Sequence, residues 1–173
     1  MVPDSTPDAG TGPAPRFRPA AARFVLFCQS PGSALDSLLA GLLAHGAHAT
    51  VVPLRHLPLE WFDRFANSYD MALVDADFLG DKIEMIDFGM RLRRFSPELP
   101  VVMLSSRIAA PDYSTERMAF CDVTLRLPVT ETALYESFSI ALENHAYWRD
   151  SRFESRLLAP GPRSPAPPPA PRE

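Results

Sequence analysis

Carboxyl and hydroxyl side chains follow two short apolar runs in the middle of the sequence. Met71–Val74 is followed by Asp75, and Val101–Leu104 is followed by Ser105. Apolar runs of this length are typical of strands that are covered on both faces, as in a parallel sheet. The carboxyl ends of parallel strands meet at one edge, where chemistry concentrates in open α/β sheets. The sequence therefore predicts that a carboxylate and a hydroxyl lie at that edge.

Two further acids follow Asp75 closely enough to join it in holding a cation. Asp77 and Asp81 are two and six residues further on, and hard cations such as Mg²⁺ prefer carboxylate and carbonyl oxygens. A metal site formed by these three acids is one hypothesis. The alternative is that Asp75 is a strand-end carboxylate that accepts hydrogen bonds from local amides.

The remaining reactive side chains show no spacing typical of a catalytic or metal site. Cys28 and Cys121 lie far apart, which indicates neither a disulfide framework nor a metal site and favours a reducing cytoplasm. A cysteine phosphatase would need an arginine where Ala34 stands, so a buried thiol is expected at Cys28. The turn Gln29–Ser33 precedes a helix and could seat an anion, which leaves a small-ligand binder open as a third class of function. Surface or helix-end positions are expected for the four histidines: His45, His48, His56 and His145.

An alternation of strands and helices must position these groups. Strands are predicted over Arg23–Cys28, His48–Leu54, Met71–Val74, Val101–Leu104 and Cys121–Leu127. Helices are predicted between Ser33 and Gly46, over Pro58–Asn67, Gly80–Arg94 and Ser114–Phe120, and from Thr130 through Leu158. This βα alternation predicts a doubly wound, flavodoxin-like (βα)₅ fold, in which right-handed crossovers give one parallel five-stranded sheet in the order 2-1-3-4-5.

The helix that follows Asp81 shows an apolar stripe and a basic end. Ile83, Ile86 and Met90 share one helical face, with Met85, Gly89 and Leu92 beside them, which predicts that this face packs on the sheet. Arg91, Arg93 and Arg94 follow in the last turn, where cations suit the helix dipole and a solvated position is expected.

Length and composition indicate one domain between two proline-rich ends. The chain has 173 residues and a formal net charge of −4, which favours neither nucleic-acid nor membrane binding. No apolar run approaches the roughly 20 residues needed to cross a bilayer. Residues 1–22 and 159–173 are rich in proline and poor in large apolar side chains, so both are predicted to be disordered. Residues 23–148 form the predicted domain, and 149–158 extend its last helix.

Three stretches resemble the middle of a response-regulator receiver domain: Tyr69–Asp75, Gly80–Arg94 and Pro97–Arg107. A weaker resemblance extends over Arg23–Tyr147. The resemblance implies that Asp75 occupies the phosphoryl-accepting position and that Ser105 occupies the position of the hydroxyl that senses the phosphoryl group. It also implies that the aromatic switch position of the family falls at Thr124.

Two groups that the resemblance requires for phosphorylation are missing. The acidic pair that holds the metal at the end of the first strand is replaced by Cys28 and Gln29. Leu127 occupies the position of the lysine, although the following Pro128 is retained. Without the metal ion that the acidic pair would hold and without the lysine, each unit-charge repulsion at ~4 Å costs on the order of 4 kcal/mol. A loss of that size slows phosphoryl transfer roughly a thousandfold.

The sequence therefore predicts a stand-alone pseudo-receiver of a two-component or phosphorelay system. We expect it to act through protein–protein interaction, without ordinary Asp phosphorylation, catalysis or a cofactor. The implied partners are a histidine kinase, a phosphotransfer protein or another regulator, on the face formed by Ala109–Tyr147. The last helix, with Trp148, Phe153 and Leu157, could pair with a second copy. The alternative is a functional single-domain response regulator that is phosphorylated on Asp75 with Mg²⁺ in a rebuilt metal site.

Overall fold

Five short strands form a single parallel sheet in the computed structural model, which describes residues 20–28, 33–53 and 59–158. The strands are β1 Arg23–Cys28, β2 His48–Pro53, β3 Met71–Asp75, β4 Val101–Ser105 and β5 Val123–Arg126. Their order is β2-β1-β3-β4-β5 and every pairing is parallel. The five strands, their order and the flavodoxin-like fold class are confirmed, although β5 is shorter than its predicted range Cys121–Leu127.

Helices cover both faces of this sheet. They are α1 Ser33–Ala44, α2 Leu59–Ala66, α3 Lys82–Phe95 and α4 Glu131–Leu158. Successive side chains of a strand point to opposite faces, so Phe24 and Leu26 pack with α1 and α4, whereas Val25 and Phe27 pack with α2 and α3. β3 and β4 are buried along their whole length, as their uninterrupted apolar runs predict.

Several predictions concern residues outside the described part of the chain. The proline-rich ends 1–22 and 159–173 lie outside it, apart from Ala20–Ala22. So do Gln29, His56 and most of the turn that could seat an anion. The predicted extension 149–158 belongs to α4, which runs for 28 residues, or roughly 42 Å.

The helix predicted over Ser114–Phe120 is wrong. Between β4 and β5 the chain forms only a 3₁₀ turn, Thr115–Arg117. An α-helix does not form because the residues just before this turn pair with the sheet. The amide and carbonyl of Asp112 form hydrogen bonds with those of Thr124 on the free edge of β5, at 2.8 and 2.9 Å. The Asp112 carboxylate also accepts a hydrogen bond from the amide of Ser114 and pairs with Arg117. These contacts hold the segment against the sheet in an extended path.

The face of α3 that packs on the sheet also differs from the prediction. The buried residues are Gly89, Leu92 and Arg93, whereas Ile83 is 76% exposed and Met90 is 53% exposed. Gly89 explains the rotation, because a Cβ atom there would lie 2.5 Å from the carbonyl oxygen of Phe120. Only glycine allows the chain before β5 to approach the helix this closely.

Arg93 and His145 are buried, so the solvated and surface positions predicted for them are wrong. The Arg93 guanidinium donates to Asp122 Oδ1 at 2.5 Å and contacts His145 Nδ1 at 2.7 Å. It also lies 4.3 Å from the centre of the Trp148 ring. Asp122 accepts a further hydrogen bond from the amide of Val101 at 2.7 Å. A charge buried in an apolar core must be paired, and here the pairing joins α3, the start of β5 and α4.

Candidate functional site

The carboxyl edge of the sheet brings the ends of β1, β3 and β4 together. Phe27 pairs with Val74, and Asp75 pairs with Leu104, so Cys28 and Ser105 come next to Asp75 along the edge. Asp75 and Ser105 are both buried, at 9% and 5% exposure. The carboxylate and the hydroxyl are thus at the edge that the sequence indicates.

Asp77, two residues after β3, binds the hydroxyl that ends β4. Ser105 Oγ donates a hydrogen bond to Asp77 Oδ1 at 2.5 Å. The amide and the hydroxyl of Ser106 donate to Asp77 Oδ2 at 2.7 and 2.6 Å. Three donors from the end of β4 therefore converge on a single carboxylate.

Arg107 supplies a positive charge to the same carboxylate. Its Nε donates to Asp77 Oδ1 at 3.1 Å. Its terminal nitrogen donates to the carbonyl oxygens of Asp77 and Ala76, at 2.6 and 3.2 Å. The guanidinium thus ties the turn after β3 to the segment after β4. We call the contacts among Asp77, Ser105, Ser106 and Arg107 the Asp77 clamp.

The two neighbouring aspartates have opposite electrostatic environments. Burial opposes the ionisation of Asp77, but the hydrogen bonds from Ser105, Ser106 and Arg107 outweigh it and lower the pKa of Asp77 to about 2. Burial raises the pKa of Asp75, and the charge of Asp77 raises it further. The hydrogen bond from the Asp77 amide to Asp75 Oδ1, at 3.2 Å, only partly offsets this. The edge therefore carries a firmly ionised Asp77 beside an Asp75 that is harder to ionise.

At Cys28 and Leu127, where the receiver resemblance expects charged helpers, the side chains are buried and uncharged. Burial raises the pKa of the Cys28 thiol, and the charges of Asp75 and Asp36 raise it further. Leu127 is 6% exposed and packs in the core under α1 and α4. The peptide bond between Leu127 and Pro128 is cis. Neither position offers a charged group to Asp75.

Thr124, to which the receiver resemblance assigns the aromatic switch, takes no part in the Asp77 clamp. It is buried at 1% exposure, one strand further along the sheet. Its hydroxyl accepts a hydrogen bond from Arg117 at 3.3 Å and contacts the Cys121 sulfur at 3.6 Å. Its backbone pairs with Asp112. Thr124 thus helps to hold the segment that stands in place of the predicted fourth helix.

The acids suggested as metal ligands have other partners. The Asp81 carboxylate caps α3, accepting from the amides of Ile83 and Glu84 at 2.8 and 2.9 Å. Glu84 in turn accepts from the Asp81 amide, which completes a capping box. Within the described ranges, no group of three histidine, cysteine, aspartate or glutamate side chains is placed to hold a metal ion.

Sequence reasoning gave Arg107 no role and considered Ser106 only as a cap of the loop after β4. Both follow directly after the hydroxyl at the end of β4, as Asp77 follows soon after β3. The only signal in the sequence was that an acid, Asp77, and a base, Arg107, each follow soon after one of two neighbouring strands. It is weak, because the sequence does not show how far the two loops bend toward each other.

The sheet order and the helices between the strands define the class of protein: a doubly wound α/β domain with the flavodoxin-like fold. No protein-family model and no curated protein matches the sequence. None of the described helices is long and apolar enough to cross a membrane.

Solved structures with a similar fold include three from bacteria. A response regulator receiver domain protein from Clostridium thermocellum is 20% identical, with 80% of this chain and 99% of that chain covered and a TM-score of 0.49. A protein from Burkholderia pseudomallei described as pilus assembly-related is 17% identical, with 74% and 93% covered and a TM-score of 0.49. CpaE from Burkholderia thailandensis, described as a pilus assembly protein, is 17% identical, with 70% and 98% covered and a TM-score of 0.45.

Proposed function

We propose that this chain is a pseudo-receiver, a signalling protein that binds its partners without phosphorylation of Asp75. One observation carries the proposal. The Ser105 hydroxyl, which the receiver resemblance assigns to sensing a phosphoryl group, already donates to the Asp77 carboxylate. The hydroxyl thus has a carboxylate partner within the chain in the absence of any phosphoryl group.

The Asp77 clamp opposes phosphorylation in two ways. A phosphoryl group on Asp75 would have to draw the hydroxyl away from a charged acceptor, and hydrogen bonds to charged groups contribute roughly 1.5–3 kcal/mol. Asp77 is also ionised at neutral pH and lies beside Asp75. Its negative charge repels an anionic phosphoryl donor as the donor approaches.

The replaced helper positions support the same conclusion. A neutral thiol stands at Cys28 and an apolar side chain at Leu127. Phosphoryl transfer is catalysed mainly by positioning and by neutralisation of charge. Neither Cys28 nor Leu127 can neutralise charge beside Asp75, so we propose a binding role for the protein and no enzymatic one.

The surface around β5 and α4 offers a place for a protein partner. Tyr113 and Tyr147 are exposed by 38% and 61%, and exposed tyrosines are frequent anchors at protein interfaces. Asn144 on α4 donates to the carbonyl oxygen of Tyr113 at 3.1 Å, which fastens the segment before β5 to the helix. We propose this face for a histidine kinase, a phosphotransfer protein or another regulator, and α4 beyond residue 148 for a second copy.

The compartment we propose is the cytoplasm. Both cysteines are free and buried, and free cysteines persist in reducing compartments.

A phosphate-affinity gel tests the proposal. Wild type, Asp75→Asn and an active receiver as positive control are treated with acetyl phosphate and Mg²⁺. We expect a retarded band for the control receiver alone. A retarded wild-type band that disappears in Asp75→Asn would overturn the proposal and support the alternative, a working response regulator.

One feature of the site favours that alternative. The positive charge of Arg107 acts on Asp75 and lowers its pKa against the larger effects of burial and Asp77. Arg107 could take part of the role of the missing lysine. The same gel with Arg107→Ala distinguishes a pseudo-receiver from a working response regulator. If phosphorylation relies on Arg107, the retarded band of the wild type should disappear in Arg107→Ala.

A further inference from the structure

A cavity of about 290 Å³ lies where the carboxyl ends of α2 and α3 come together. These helices lead into β3 and β4, so the cavity lies at the amino edge of the sheet, opposite the edge that carries Asp75. Asp63 and Asn67 line it from the end of α2, and Ser96 and Glu98 line it from the segment after α3. Its volume is close to the ~300 Å³ at which small-molecule sites begin.

The charge around this cavity is negative. None of the described residues that line it is basic. Glu98 pairs with Arg149 at 2.7 Å, whereas Asp63 on α2 makes no ion pair with a described residue. The carboxyl ends of two helices add partial negative charge, which favours a cation close to them. The cavity therefore suits a positively charged group, with Asp63 as the carboxylate whose charge is not compensated.

Ser96 supplies a buried hydroxyl that is unpaired in the protein. It caps the carboxyl end of α3 and is 2% exposed. Its Oγ atom has no hydrogen-bond partner in the described part of the chain, and the residue lines the cavity. Buried polar atoms in native proteins are nearly always paired. The Ser96 hydroxyl is therefore a second feature, independent of charge, that calls for a polar group inside the cavity.

The rest of the cavity wall is apolar and aromatic. Ala66 and Leu99 are buried, Pro97 is partly buried, and all three line the cavity. Tyr69 also lines it, with a ring that stacks on Phe62 at 5.9 Å and can accept a cation on its face. Within the described ranges, no three histidine, cysteine, aspartate or glutamate side chains are placed to hold a metal ion. These walls fit an organic cation with an alkyl part better than a bare metal ion.

We propose that this cavity binds a small aliphatic amine, whose ammonium group is held by Asp63 and Ser96. An ammonium group has three N–H donors and no acceptor. The Asp63 carboxylate, the Ser96 hydroxyl and the side-chain oxygen of Asn67 offer it three acceptors, and the apolar wall covers the alkyl chain. This inference does not rest on the proposed function, because it concerns the edge of the sheet opposite Asp75.

Isothermal titration calorimetry of the full chain with butylamine tests the proposal. We expect a dissociation constant on the order of 0.1–1 mM, since the ligand has few atoms. Asp63→Asn should weaken binding at least tenfold. Glu60→Gln is the matched control, because it removes the same charge from the first turn of the same helix, and it should leave the dissociation constant unchanged. A wild type that binds no butylamine at roughly 10 mM, or equal weakening by Glu60→Gln, would overturn the proposal.

Ser96→Ala tests the contact with the buried hydroxyl. The variant should bind butylamine several-fold more weakly than wild type. Without the amine it should be at least as stable as wild type, because an unpaired buried hydroxyl is unfavourable. Thermal melts with and without butylamine show both effects, since a bound ligand raises the midpoint. A Ser96→Ala variant that binds the amine as tightly as wild type would refute the proposed site.

Arg149→Ala should strengthen binding, because it frees the Glu98 carboxylate on the cavity wall. The matched control is Arg91→Ala, which removes the same charge from the exposed ion pair with Asp87 and should leave binding unchanged. Equal strengthening by the two variants would show that the amine is attracted by net charge alone, and would refute the site. Tighter binding of N-acetyl-lysine amide than of butylamine would assign the cavity to a lysine side chain of a protein partner and overturn the small amine.

Discussion

The Ser105 hydroxyl donates a 2.5 Å hydrogen bond to Asp77, which lies two residues beyond the strand-end Asp75. A carboxylate within the chain thus binds the hydroxyl that the receiver resemblance assigns to sensing a phosphoryl group. Arg107 contacts the same carboxylate. The chain itself therefore places a negative and a positive charge beside the Ser105 hydroxyl.

Acid should destabilise the protein through Asp77. The pKa of Asp77 falls from the ordinary 3.8 to about 2 in the folded chain. The unfolded chain therefore binds the proton first as the pH falls, and the stability from Asp77 is complete above about pH 4 and lost toward pH 2. After allowance for solvent screening this amounts to about 1–2 kcal/mol.

Urea denaturation of wild type and Asp77→Ala at pH 7 and pH 2.5 measures this contribution. We expect Asp77→Ala to be less stable by about 1–2 kcal/mol at pH 7, with a difference that shrinks at pH 2.5. Asp63→Ala, an exposed acid on α2, serves as the control and should change little. A pH-independent difference would show that the Asp77 carboxylate charge is not what stabilises the clamp.

Asp75→Asn should stabilise the protein at neutral pH. The pKa of Asp75 is raised by burial and by Asp77, so the folded chain holds the proton more tightly than the unfolded chain does. The contribution of Asp75 to stability therefore decreases as the pH rises from the ordinary pKa of an aspartate to the raised pKa of Asp75 in the folded chain. Asparagine removes the buried charge and keeps an oxygen for the Asp77 amide.

Thermal melts of Asp75→Asn at pH 7 should show a higher midpoint than those of wild type, and the melts of the two proteins near pH 3 should coincide. A lower midpoint at pH 7 would indicate that the ionised form is favoured.

Removing Asp122 should lower the free energy of unfolding far more than removing an exposed ion pair does. Asp122→Ala leaves the Arg93 guanidinium buried beside His145 and Trp148 with no counter-charge. Breaking a buried pair in this way costs roughly 3–5 kcal/mol. Arg149→Ala removes the exposed pair with Glu98, which contributes about 1 kcal/mol or less. Denaturant titration compares the two variants, and similar losses would mean that Asp122 is not the required partner of Arg93.

Two glycines on helices should respond in opposite ways to alanine. Gly89→Ala places a Cβ atom against the Phe120 carbonyl, so we expect a loss of about 1–3 kcal/mol. Gly41→Ala on α1 meets no atom within 4 Å, and alanine favours the helix by up to about 1 kcal/mol. Unfolding free energies from urea titration decide the comparison. A neutral Gly89→Ala would show that Phe120 can move away from α3 at little cost.

The strands and their order followed from the sequence because their causes are local. Uninterrupted apolar runs end at Asp75 and Ser105, and right-handed crossovers leave few ways to arrange five parallel strands. The helical stripe of α3 was recognised but assigned to the wrong face. Periodicity shows that one side is apolar, whereas the close approach of Phe120 to Gly89 and the pairing of Arg93 with Asp122 select the side that is buried.

By itself, the sequence determined that a carboxylate and a hydroxyl end neighbouring strands and that charged helpers are missing around them. The tertiary structure decided which aspartate binds the hydroxyl. Asp77 and Ser105 are 28 residues apart, and their contact depends on how two loops bend at the edge of the sheet. Hydrophobic periodicity carries no information about that bend, because the loops are held by hydrogen bonds and charge rather than by an apolar face.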